Sequence, residues 1–202
     1  MKRTETIIRM LMVLALSGLL TMARAQDTPQ PVQDTAKPSS TMKSQLNMAD
    51  RKFVKDAAQG GMAEVELGQL AVEKASSDDV KKFGQRMVED HSKANDNLKQ
   101  LATRKGVHVA QQLSAKDKAT KARLSKLSGD QFDKAYMSNM VRDHKKDVSE
   151  FKRETESAKD PDVKNFATSV LPTLEDHLKQ AQSLAPGKSE RSSAQMPKAS
   201  QR

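Results

Sequence analysis

Between positions 49 and 185 apolar residues recur three and four apart, and nowhere do they alternate over the length of a strand. That is the period of helices with one face turned inward. The spacing predicts a first helix over residues 49–75, with Phe53, Ala57, Gly60, Glu64, Leu67 and Ala71 on its inner stripe. Ser76-Ser77-Asp78 ends it and caps a second helix over 79–104, where Phe83, Met87, His91, Ala94, Leu98 and Leu101 face in. Gly106 stops the second helix. A third follows Gly129-Asp130 and runs to about Ala158, with Tyr136, Met140, His144, Val148 and Phe151 inward. Asp160-Pro161 opens a fourth with proline in its first turn. Its inner residues are Val163, Ala167, Val170, Leu174, His177, Ala181 and Leu184.

The connections are unequal. Helices one and two, and helices three and four, are joined by a few residues, so each pair is an antiparallel hairpin. Between the hairpins lies a stretch over 105–131, in which Ser114 caps a short helix, AKDKATKARLSKL. The expected fold is all-α: a ferritin-like four-helix bundle of two antiparallel hairpins with a long crossover that contains a short helix. DVKKF opens the second helix at Asp79 and DVKNF opens the fourth at Asp162. Their place in the topology is the one a duplicated hairpin predicts.

The ends read differently. Lys2, Arg3 and Arg9 precede the apolar run MLMVLALSGLL, and Ala23-Arg24-Ala25 follows it. This is the pattern of a signal peptide over residues 1–25, with cleavage after Ala25 and export to the periplasm. No cysteine follows that point, which excludes a lipoprotein. Residues 26–46 are polar with three prolines and read as a disordered linker. Residues 186–202 read as a disordered tail, which leaves 47–185 as one helical domain.

Each inner stripe carries one polar anomaly: Glu64, His91, His144 and His177. An imidazole or carboxylate on an apolar face needs a partner. In an antiparallel bundle helix midpoints meet. Glu64, His91 and His144 lie near theirs, and His177 lies about four residues, or roughly 6 Å, beyond its own. The four groups are expected to converge on one level. Three imidazoles and a carboxylate there suit one transition-metal ion: zinc, iron, manganese or copper. The competing expectation is a dry Asp–His network that only fixes packing. Asp90, Asp143 and Asp176 each precede a histidine by one residue, about 100° around the helix. None can share its own histidine's direction, so cross-helix Asp–His pairs in an outer shell are expected. Met87 and Met140, one turn before two of the histidines, would suit copper(I), although core filling explains them as well. His108 falls in the crossover and is expected to be exposed. Pro172 should kink the fourth helix.

Charge and composition narrow the function. Removing residues 1–25 takes away Lys2, Arg3, Arg9, Arg24 and Glu5, and the net charge falls from +9 to +6. Lysines alternate with acids as on solvated helix faces. The aromatics sit within the apolar stripes, so no nucleic-acid partner is expected. A weak attraction to an anionic envelope surface is compatible with the charge. The sequence leaves the oligomeric state open. The chain has no cysteine, so a core or a metal must stabilise it. There is no nucleophile elbow, phosphate loop or HExxH, and no catalytic residue is assigned.

Four stretches carry a family resemblance: FVKDAAQGGMAEVELGQLA, FGQRMVEDHSKANDNLKQLA, LSGDQFDKAYMSNMVRDHKKDVSEF and LPTLEDHLKQAQ. Through them residues 49–185 resemble the exported bacterial family termed domain of unknown function 4142, whose members are often labelled outer-membrane proteins. The resemblance implies a ferritin-like fold and points to Glu64, His91, His144 and His177. It supplies no activity. Di-iron relatives of that fold carry Glu-x-x-His on two helices. Here the residues three before the histidines are Val88, Val141 and Leu174, so the bridging carboxylates of a two-iron oxidase are missing.

Overall fold

A computed structural model describes residues 46–186. The expected signal peptide lies outside them, as do the expected linker and tail apart from Leu46 and Pro186. Leu46 packs into the core. Among the described residues all regular structure is helical: α1 (Met48–Lys74), α2 (Asp78–Lys105), α3 (Ala115–Ser125), α4 (Gly129–Ser157) and α5 (Pro161–Leu184). None of these helices is long and apolar enough to cross a membrane.

α1 pairs with α2 and α4 with α5, and the two pairs meet along α2–α5 and α1–α4. α3, in the crossover, lies against α1 and α4 and anchors there through the buried Leu124. The caps are largely local. Asn47 Oδ1 accepts the Asp50 amide, Ser114 Oγ accepts the Asp117 amide, and Asp160 Oδ1 accepts the amides of Asp162 and Val163. Gly106 ends α2 with φ 66°, the left-handed cap its position predicts. α5 continues through Pro172.

The α1–α2 turn departs from the expected local cap. Ser77 holds the N-cap position of α2, but its side chain makes no capping bond. Asp133 of α4 instead accepts the amides of Ser76 and Ser77 at 3.1 and 2.8 Å. The α4–α5 turn is held the same way. Asp50 of α1 accepts the amides of Lys159 and Asp160, the latter at 2.8 Å. Each hairpin's turn is thus clamped by an aspartate near the start of the other hairpin's first helix. The echoed DVKKF and DVKNF segments place Val80, Phe83, Val163 and Phe166 in the core.

α1 and α2 come close at the glycines Gly68 and Gly84. A Cβ on Gly68 would lie 2.8 Å from the carbonyl oxygen of Gly84. Elsewhere the seams are looser: Ala57, Gly60, Ala94 and Val170, expected in the core, are half-buried and line a cavity. The apolar core is in two parts. One holds Phe53, Leu98, Leu101, Phe151, Phe166 and Leu174. The other holds Leu67, Phe83, Met87, Tyr136, Met140 and Ala181. Along every long helix the polar anomaly falls between the two.

Candidate metal centre

His91, His144 and His177 are brought together from α2, α4 and α5. Their ring centroids lie 5.8, 5.3 and 5.4 Å apart for the pairs 91–144, 91–177 and 144–177. All three are buried. One ring nitrogen from each lies within 4.8 Å of the other two. Glu64 of α1 joins them from outside the triangle: its Oε2 is 3.0 Å from His91 Nδ1 and its Oε1 is 3.4 Å from His144 Nδ1.

The hydrogen bonds fix the rings. His144 Nδ1 is 3.0 Å from the carbonyl oxygen of Met140, and His177 Nε2 is 2.9 Å from Asp90 Oδ2. Neither oxygen carries a proton to give, so those nitrogens donate and the lone pairs fall on His144 Nε2 and His177 Nδ1. His91 turns Nδ1 to Glu64 Oε2. The three remaining ring nitrogens, His91 Nε2, His144 Nε2 and His177 Nδ1, are buried without a hydrogen-bond partner among the described residues.

Electrostatics keep the imidazoles neutral. Burial, then the neighbouring His144 and His177, hold His91 well below the usual histidine range. Burial, then His177, brings His144 down to about 4, against the Met140 carbonyl. Burial lowers His177 too, although Asp90 pulls the other way. Glu64 is raised well above the carboxylate range by burial and then by Asp147 and Asp143. Burial pushes Asp147 up to about 6.

The three aspartates take different places. Asp90 makes the expected cross-helix pair with His177, and Arg86 also holds it at 3.2 Å. Asp143 binds Asn139 and Arg142 on its own helix. Asp176 is largely exposed, with Arg86 Nη2 3.8 Å away. Glu66 pairs with Lys121 of α3. Met87 and Met140 are fully buried in the apolar part next to the histidines. His108 is exposed. Sequence reasoning missed Asp147 beside Glu64, although its place three residues after His144 puts it on the same helix face. It also missed the Met140 carbonyl, which no side-chain pattern signals.

Residues 35–184 match the family described as "Domain of unknown function (DUF4142)". The chain belongs to this family. No curated protein matches this DUF4142 chain. Two solved structures are similar to it. One is a DUF305 fragment from Deinococcus radiodurans, with a TM-score of 0.62 and 16% identity over 69% of this chain and 97% of that one. The other is CopM in an Ag-bound form, with a TM-score of 0.53 and 16% identity over 66% of this chain and 92% of that one. At such identity the likeness is one of fold.

Proposed function

We propose that this DUF4142 protein is an exported ferritin-like bundle that binds one transition-metal ion through His91, His144 and His177. The observation that carries this reading is the trio of unpaired imidazole nitrogens in one buried layer. A buried acceptor left without a donor costs roughly 1–3 kcal/mol. A dry packing network would leave His144 Nε2 and His177 Nδ1 as such acceptors, with His91 Nε2 unpaired beside them. An ion removes these penalties at once. The fit needs a modest contraction. Nitrogen–metal bonds of about 2.0–2.1 Å set tetrahedral donors roughly 3.4 Å apart, against the 4.8 Å limit here.

Asp90 orients His177 and Glu64 orients His91, the roles that outer carboxylates take toward ligating imidazoles. Asp143 and Asp176 belong to the periphery of the site. Neutral imidazoles suit zinc, copper and iron better than manganese. The fold neighbour CopM in its Ag-bound form, together with Met87 and Met140 beside the rings, puts soft monovalent ions among the first probes. Export rests on residues 1–25, and the two hairpins with their helical crossover support the ferritin-like reading. An envelope or stress-related role follows from location and metal binding together; no catalytic group is assigned.

The test is metal content. The protein is exported through its own leader and purified without a His tag or chelator, and wild type and His144→Ala are compared by elemental mass spectrometry. About one ion per chain in the wild type, lost in the variant, is expected. Metal in neither, with no rise in melting temperature on adding zinc, copper(I) or silver(I), would return the histidines to core packing.

A further inference from the structure

Two openings lead from the surface to the histidine layer, on opposite sides of the bundle. Between α2 and α5 a groove of about 240 Å³ reaches His91 and His177. Between α1 and α4 a cavity of about 50 Å³ reaches His91 and Glu64, with Asp56, Asp147 and Glu150 at its mouth. A second cavity of about 90 Å³ under α3 also ends on Glu64 and Asp147, and adds Asp143.

We infer that, if the histidines bind metal as proposed above, the ion reaches them through the α1–α4 opening, with Glu64 as the carboxylate that receives it at the floor. Size does not decide between the two routes, because a water-sized body needs only about 10–15 Å³. Charge does. The α2–α5 groove has one carboxylate, Asp90, already held by His177 and Arg86. Its rim is Asn97, Ser169 and Thr173, with Lys93 adding positive charge. The α1–α4 opening carries Asp56, Asp147 and Glu150 at its mouth and Glu64 at its floor, between apolar walls, against one cation, Lys146. Fields of one sign in a low-dielectric cleft raise the rate of cation arrival by about 10 to 1,000-fold.

Glu64 marks the floor independently of the acidic mouth. It is 4% exposed, and its Oε1 accepts no hydrogen bond. The nearest candidate donor, His144 Nδ1, gives its proton to Met140. A buried Glu64 oxygen is thus left free at the inner end of the acidic opening. Lys146 spans the mouth, 2.9 Å from Glu150 and 3.7 Å from Asp147, and its side chain is largely exposed. It pairs with these carboxylates at the solvent edge of the opening. Lys52 likewise pairs with Asp56 at the surface.

Gly60 supplies a clean test. It lines both α1–α4 cavities, and a Cβ there would meet no atom within 4 Å. Gly60→Leu therefore starts into open space at its Cβ, puts a side chain into the route and favours the helix. The metal-free full chain is mixed with Zn²⁺ or Cu²⁺ in a stopped-flow instrument, and release is followed with a chromogenic chelator. A plug on the route slows binding and release alike. Both rates should fall at least fivefold in Gly60→Leu, with Kd within twofold of wild type. Asp56→Asn with Glu150→Gln, both at the surface, should slow binding and flatten its salt dependence. Thr173→Leu, on the α2–α5 rim, should exchange metal like wild type. Slowing by Thr173→Leu and not by Gly60→Leu overturns the route, and so do unchanged rates in all variants. Absence of bound metal in the wild type instead overturns the metal reading, and this route with it.

Discussion

Asp90 Oδ2 on α2 lies 2.9 Å from Nε2 of His177 on α5, across 87 positions of sequence. This contact turns the other nitrogen of His177 toward His91 and His144. It also separates Asp90 from the other two aspartates that precede a histidine. Asp90→Asn should weaken metal binding by about 10 to 100-fold while keeping one ion per chain. Asp176→Asn, whose one ion contact among the described residues is Arg86 at 3.8 Å, should change it less than twofold. Calorimetric titration of the metal-free proteins separates the two. Equal losses in both variants would show that Asp90 acts through net charge and not by orienting the ring.

Acid should act on the metal-free fold through the buried histidines. His144 falls from about 6.5 in the unfolded chain to about 4 when folded. Its contribution is therefore full above the unfolded value and is lost as pH falls toward 4, because the unfolded chain takes up the proton first. The raised Asp147 has the opposite sign, favouring the fold most at low pH. Comparison with His144→Leu cancels that opposing contribution. The stability of wild type relative to His144→Leu should drop between pH 6.5 and 4, by at most on the order of 3 kcal/mol. Urea midpoints across that range measure it. Parallel curves for the two proteins would mean that His144 titrates normally.

The reciprocal clamps should be structural and separable from the site. Asp133→Ala removes the acceptor of the Ser76 and Ser77 amides. A loss of about 2–3 kcal/mol is expected from bonds to a charged acceptor. Asp50→Ala should do the same at Lys159 and Asp160. Both variants should still bind one ion per chain below their melting temperatures. Loss of metal in a folded clamp variant would tie the turns to the histidine layer.

The glycines of α1 should split by neighbourhood. Gly60→Ala meets open space and should stabilise by up to about 1 kcal/mol through helix propensity. Gly68→Ala brings its Cβ to 2.8 Å from a backbone oxygen of α2, which cannot step aside like a side-chain end. It should destabilise by about 1–3 kcal/mol, the range for overpacking. Chemical denaturation reads both. A stabilised Gly68→Ala would mean that the α1–α2 approach is looser than described.

Much of this was legible in sequence. The stripes around Phe53, Leu67, Phe83, Leu98 and Leu174 gave helices within two residues of their observed ends, because a period of 3.6 is a local property. Ser114 and Asp160 were readable as caps for the same reason. The inward phase of His91, His144 and His177 was readable too, since each sits on a stripe of apolar neighbours. Expected burial failed at Ala57, Gly60 and Ala94, where the phase was right but no side chain from the facing helices fills the space.

Tertiary structure decided the rest. Whether Asp90, Asp143 or Asp176 meets a histidine depends on how far helices slide and turn against one another, and periodicity carries no such coordinate. The same holds for the turn at Ser76-Ser77, where a distant aspartate replaces the local cap. Which nitrogen of each imidazole is free depends on partners that include a backbone carbonyl, invisible in a pattern of side chains. The sequence by itself determined that four helices would each turn one polar group inward. Helix midpoints also put those groups near one level; only packing determined which oxygens and ring nitrogens meet there, because that depends on distances between helices and not along them.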